Sequence, residues 1–254
     1  MAGLHYPAIA DQVALVTGAN AGMGLASTKA LLSAGYRVVG TDIATEALEH
    51  KCQGAIDSGK LMVLRMDVSD AQAVQTVCAQ ALAWQGHVDV LVNNAGILQY
   101  ADCEQTTPEL FRQTLAVNLE GVFYVSQQIA PEMAKRGFGR IVNVASLGAK
   151  TGGLLPLPAY AASKGGVVSL TFSFARQYAT KGVTCNAIAP TFVKTQMLTE
   201  QVSAERQAQL QAMIPVNRFC ELEEFAHVVL FLAHPMSGFI TGEVLDLNGG
   251  IQFD

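Results

Sequence analysis

The chain has 254 residues, half of them hydrophobic and 15% charged, so it can bury the large core of a single α/β domain. A net charge of −5 without a Lys/Arg run argues against nucleic acid or an anionic membrane as partner, and no apolar stretch approaches the ~18 residues of a membrane span or follows a basic leader. Cysteines and histidines are scattered without disulfide or metal-ligand spacing, so the expectation is a reduced, metal-free, cytoplasmic protein whose partner is a small molecule.

Short β-branched runs alternate with Ala-rich amphipathic stretches, the pattern of a doubly wound Rossmann fold: a parallel sheet with helices on both faces. Seven strands are expected at residues 13–17, 36–41, 61–66, 88–92, 140–145, 183–188 and 243–247. Helices are expected near 22–34, 44–57, 70–85, 108–135, 159–179 and 221–234. One domain spans 1–254, and loops near 147–158 and 191–218 follow strand ends, where they would wall and lid a substrate site.

Directly after the first strand comes Thr17-Gly18-Ala19-Asn20-Ala21-Gly22-Met23-Gly24, a glycine-rich turn opening a helix. Glycines allow close approach, and the helix start offers unpaired N–H groups, so the turn suits a pyrophosphate. Asp42 ends the second strand, where a carboxylate accepts from both adenosine ribose hydroxyls and repels a 2′-phosphate. With no Arg or Lys at Asn20 or Ile43, the cofactor expected is NAD, not NADP. Asp67-Val68 ends the third strand, within reach of an adenine edge, and Asn93-Asn94-Ala95-Gly96 ends the fourth with small residues where backbone passes a cofactor.

Further on, Tyr160 and Lys164 stand four residues apart on one helix face. A Tyr acting as a base near neutrality needs its pKa lowered by about 3 units, roughly 4 kcal/mol. One ammonium at ~4 Å and an effective dielectric of ~20 supplies about that much, so Lys164 is expected to depress the Tyr160 phenol.

In this order the motifs resemble the short-chain dehydrogenase/reductase superfamily over nearly the whole chain. The resemblance rests on the glycine turn, Asn93-Asn94-Ala95-Gly96, Asn118, Ser146, Tyr160-x3-Lys164, Ile240-Thr241-Gly242 and Asn248-Gly249-Gly250. It implies that Tyr160 exchanges a proton with the substrate oxygen while Ser146 hydrogen-bonds that oxygen. Lys164 would hold the nicotinamide ribose, and Asn118 would interrupt its helix and position a proton-relay water. The glycine turn with Asn20 and Met23, together with Pro190, Val193 and Thr195, would contact the cofactor. Thr191 departs from the family pattern, which has Gly there, and leaves the substrate entrance open to question.

The activity implied is NAD-dependent interconversion of a secondary alcohol and a ketone, with a polyol, sugar or other small hydroxy compound as substrate. Lys150, Lys194 and Arg218 stand where they could reach the mouth of the site, although solvated cations are the more common outcome. The alternative is reduction of a 3-oxoacyl thioester on a carrier protein with NADPH. The resemblance also implies a homo-oligomer, a tetramer or dimer, built on the long helices and the last strand and helix.

Overall fold

The computed structural model describes residues 8–196, 198 and 203–253. Its strands are β1 (Val13–Thr17), β2 (Arg37–Asp42), β3 (Leu61–Arg65), β4 (Val90–Asn93), β5 (Gly139–Val144), β6 (Val183–Pro190) and β7 (Val244–Leu247). All pair in parallel in the order β3-β2-β1-β4-β5-β6-β7, so the chain crosses the sheet after β3 and the strand order reverses where β1 and β4 lie side by side. That crossing opens a crevice at the strands' carboxyl ends. Every residue of β1, β5 and β6 is buried, so these strands show no apolar-in, polar-out alternation, and the polar side chains of Arg140, Asn143, Thr184 and Asn186 are buried with the rest.

Helices α1 (Gly22–Ser33) and α2 (Glu46–Asp57) cover one face, and α3 (Ala71–Gln85) the other. Then come α4 (Pro108–Leu115), α5 (Gly121–Arg136), the single turn α6 (Gly148–Thr151), α7 (Pro158–Tyr178), α8 (Ala204–Ala212) and α9 (Leu222–Ala233). Leu31, Leu48, Phe225 and Val229 close over Ala14, Val16, Val38 and Ile188 on the first face. On the second, Val74, Val125, Ile129 and Met133 close over Val13, Leu15, Leu91 and Ile141. Each such side chain, fully buried, stabilises the fold by about 1.5–3 kcal/mol.

Three segments depart from simple strand–helix alternation, and of these only residues 148–151 differ from the sequence expectation. The helix expected over 108–135 is divided by a π-helical turn at Ala116–Glu120. There Asn118 turns inward, its Oδ1 accepting from Ile97 N at 2.8 Å and its Nδ2 donating to Ile97 O at 2.9 Å. Residues 148–151, expected as loop, form α6, which stops at Gly152 in the left-handed region (φ 78). The segment after β6 carries α8 and its own small core of Leu198, Leu210, Ile214 and Phe219. Its two ends meet, since Lys194 N donates to Cys220 O (2.8 Å) and Cys220 N to Phe192 O (3.0 Å). Among the described residues no helix is long and apolar enough to cross a membrane.

Candidate functional site

A cleft of about 680 Å³ lies over the carboxyl ends of β1, β2, β4 and β5 and extends under the segment after β6. Sterics fix its cofactor end. A Cβ on Gly24 would stand 1.9 Å from Gly18 O, so only glycine lets α1 begin against the turn. Gly18 has φ 66, and its added Cβ would meet Ala95 Cα at 2.8 Å. Asn94 clamps the turn from the β4 side, its Nδ2 donating to Thr17 O and Gly18 O, both at 3.0 Å. Thr17 Oγ1 answers by accepting from Asn94 N and Ala95 N, both at 3.1 Å.

At Gly22 the space beyond an added Cβ is nearly open, the nearest atom being Thr195 Cγ2 at 3.5 Å. This leaves main-chain N–H groups reachable from the cleft, a surface that fits a dinucleotide pyrophosphate. Asp42 Oδ2 accepts from Asn20 N at 3.0 Å, which joins the glycine turn to the end of β2, and the neighbouring Ile43 lies open to solvent. Asp67 Oδ1 accepts from Ser69 N (2.9 Å) and Ser69 Oγ (2.7 Å) at the end of β3.

At the other end, α7 starts with Pro158 in its first turn and lays Tyr160 and Lys164 on the face toward β5. Lys164 is buried and donates from Nζ to Val144 O at 2.7 Å, with the Tyr160 ring centroid 5.8 Å away. Burial pulls the Lys164 ammonium down to about 8. For Tyr160, burial pushes the phenol up, a hydrogen bond with Ser146 opposes it, and the Tyr100 phenol raises it further. The expected depression of Tyr160 by Lys164 is therefore corrected: burial of the phenol sets the direction, upward, and the hydrogen bond with Ser146 opposes it. Asn118, completing its bonds with Nδ2 to Ser163 Oγ at 3.2 Å, fastens the π turn to α7.

The arrangement can be compared with known proteins. Residues 18–252 match a family model described as enoyl-(acyl carrier protein) reductase. An acetoacetyl-CoA reductase of Rhizobium meliloti is 40% identical over 96% of this chain and 99% of its own. The 3-oxoacyl-[acyl-carrier-protein] reductase FabG of Thermotoga maritima is 36% identical over 94% and 97%. The crystal structure of gox2181 superposes with a TM-score of 0.89 at 29% identity, covering 94% of this chain and 95% of that one. The chain belongs to the short-chain dehydrogenase/reductase superfamily. It is thus an oxidoreductase of CH–OH and keto groups that uses a nicotinamide cofactor.

Of the residues expected at the site of this dehydrogenase/reductase, all line the cleft except Asn20, Gly24 and Asn118. Those three act behind it, for Asn20 Oδ1 also accepts from Leu48 N (2.8 Å) in the first turn of α2. Asn93 likewise turns away, donating to Ser126 Oγ and Asn143 Oδ1 inside the core. Thr191 fits without strain: its backbone stays outside the left-handed region and its N–H donates to Leu247 O at 3.1 Å.

Lys150, Lys194 and Arg218 do not line the cleft of the dehydrogenase/reductase. Lys150 pairs with Asp246 (2.9 Å), Lys194 with Glu221 (3.1 Å) and Arg218 with Glu224 (2.6 Å). Sequence reading placed the walls in the loops near 147–158 and 191–218 but did not single out Leu154, Leu155, Leu157, Phe192 and Leu198 in them, and it missed Leu98 and the phenol of Tyr100. The Leu-Leu-Pro-Leu run at residues 154–157 was the signal available for them. Four aliphatic or proline residues in a loop are otherwise hard to place.

Proposed function

We propose that the protein is an NAD(H)-dependent ketone reductase whose substrate carries apolar arms, 3-oxoacyl thioesters being the class that fits best. The observation that carries this reading is the division of the cleft. The hydrogen-bonded Ser146 and Tyr160 sit at the floor, while Leu98, Leu154, Leu155, Leu157, Phe192 and Leu198 line the walls without a charged side chain among them. A polyol or sugar needs several polar partners for its hydroxyls, and these six wall residues offer none, leaving Tyr100, Gln113, Thr191 and Gln196 as the polar side chains elsewhere around the substrate end. The relatives named for acetoacetyl-CoA and 3-oxoacyl reduction support the same reading.

A bound nicotinamide supplies or takes the hydride. Tyr160 gives its proton to the substrate carbonyl oxygen, and its raised pKa keeps that proton in place near neutrality. The Ser146 hydroxyl donates to the same oxygen as charge develops there. Lys164 stabilises the phenolate left behind and holds the nicotinamide ribose, while Gly18, Gly22 and Met23 carry the pyrophosphate. Asn94, Ala95, Gly96, Pro190, Val193 and Thr195, which line the same cleft, would hold the nicotinamide half of the cofactor. Asp42 receives the adenosine ribose hydroxyls, and Asp67 and Val68 flank the adenine. Among the described residues Lys164 is the only Lys or Arg lining the cleft, so no lining cation at the Asp42 end offers to receive a 2′-phosphate.

Initial rates with acetoacetyl-CoA and NADH, with NADPH, and with polyols plus NAD test the reading. Turnover of the thioester with NADH at least tenfold above NADPH is expected. A preference for NADPH would remove the Asp42 argument, and polyol oxidation without thioester reduction would restore the sugar or polyol substrate. Assembly into a homo-oligomer belongs to the same reading, since Phe123, Phe172 and Phe231 on α5, α7 and α9 remain exposed. A monomeric mass in light scattering would remove it.

A further inference from the structure

We propose that the Lys150–Asp246 ion pair is a positioning strut that holds the Ser146 turn in place against Tyr160. The proposal rests on the roles given above to Ser146 and Tyr160. Lys150 lies in α6, one turn of helix directly after Ser146, and Asp246 lies on the edge strand β7, opposite Ala189 of β6. Their charged atoms are 2.9 Å apart, with each side chain only 20% exposed. Such a pair is less screened by water than a surface bridge.

A helix of four residues cannot hold itself together, and Gly148 is the one fully buried residue in α6. Outside anchors must therefore place it. The main chain gives one, Leu147 N to Pro190 O at 3.0 Å. The ion pair is a side-chain anchor on the same side of the sheet, from β7 instead of β6. What α6 holds in turn is the catalytic hydroxyl: Gly148 N donates to Ser146 Oγ at 3.1 Å, and Ser146 bonds Tyr160. Contacts thus run from Asp246 through Lys150 and Gly148 to Ser146 and Tyr160. α6 also lies along α7, where a Cβ on Gly165 would come 3.7 Å from Ala149 O.

A second observation separates this pair from one kept for stability. Asp246 Oδ1 is buried without a hydrogen-bond partner among the described residues. A half-satisfied carboxylate is a poor stabiliser, and an apolar residue on β7 would serve the fold at least as well. The position it gives α6 is the role the geometry leaves for it.

The experiment compares wild type with Asp246→Asn, Lys150→Met, the double variant and the exchanged pair (Lys150→Asp with Asp246→Lys). Amide hydrogen exchange at Leu147, Gly148 and Ala149, the thermal midpoint, and kcat and KM with acetoacetyl-CoA and NADH are measured. Each single variant is expected to speed exchange at Gly148 about tenfold and to lower kcat about tenfold, with the KM for NADH unchanged. The double variant should be no worse than either single, and the exchanged pair should recover part of the loss. Unchanged exchange at Gly148, additive losses, or a kcat that falls only in step with the thermal midpoint would each overturn the strut. Tyr160→Phe is run alongside: full turnover in that variant would sink the catalytic reading, while the exchange data would still judge the strut.

Discussion

The cofactor end and the substrate end of the cleft are built on different physics. At the first, backbone does the work: Gly24 admits no Cβ, Asn94 ties two carbonyls, and Asp42 takes a main-chain N–H from the glycine turn. At the second, loops meet through leucines and phenylalanines, and the segment after β6 rests on a four-residue core of its own. Backbone sterics tolerate almost no substitution, whereas apolar packing accepts many side chains of similar volume. A fixed cofactor can therefore be joined to a substrate pocket that is free to change.

The floor of the cleft belongs to neither half, and it should show the largest effect. Tyr160→Phe is expected to lower kcat about a thousandfold, roughly 4 kcal/mol, without lowering the thermal midpoint. Gly24→Ala should then break the rigid half: the added methyl is expected to cost about 3 kcal/mol in urea unfolding and to weaken cofactor binding, read by fluorescence titration. A tolerated alanine there would show that the turn yields and that the contrast drawn above is false.

Between the two halves, Lys164 offers a test by pH. Below pH 8 the lysine is charged in both the folded and unfolded chain, so the folded form bears the whole desolvation penalty. From about pH 8 to about 10 the folded lysine is neutral while the unfolded one still holds its proton, so stability should rise by up to about 3 kcal/mol. Tyr160, shifted upward, works in the opposite sense only above its unfolded pKa of about 10. Urea midpoints across this window should climb in wild type and stay flat in Lys164→Met. An equal climb in the variant would assign the effect elsewhere.

Smaller effects sharpen the contrast. Asp42→Ala should move the NADH/NADPH ratio of kcat/KM about tenfold toward NADPH, about 1.4 kcal/mol. Leu210→Ala should raise the KM for acetoacetyl-CoA a few-fold and cost under ~1 kcal/mol of global stability, because Leu210 belongs to the satellite core of the segment after β6. A large loss of global stability would mean that this core is continuous with the main one.

The same contrast explains what was legible in the sequence. β1 to β7 stand within about two residues of their expected ends, because continuous β-branched runs have few other uses. The glycine turn and Tyr160 with Lys164 were legible because their chemistry depends on spacing along one element. The π turn was not visible in the periodicity of residues 108–135, since it arises from a tertiary bond between Asn118 and Ile97. Nor could spacing show that Lys164 would bond Val144 O, or that burial would raise the Tyr160 phenol. Lys150, Lys194 and Arg218 looked available only because their acidic partners lie 96, 27 and 6 residues away.

The pairing of Lys194 and Phe192 with Cys220 gives the segment after β6 a closed neck. Whatever lies between begins and ends at the same point on the scaffold, so doubling its length would add only about 0.6 kcal/mol of closure entropy. Changes of length beyond Thr195, whose side chain stands beside Gly22, are therefore expected to fall on the substrate wall and not on the glycine turn. In evolutionary terms the neck makes the segment an exchangeable cassette, through which one reduction apparatus can be handed a new substrate without being rebuilt.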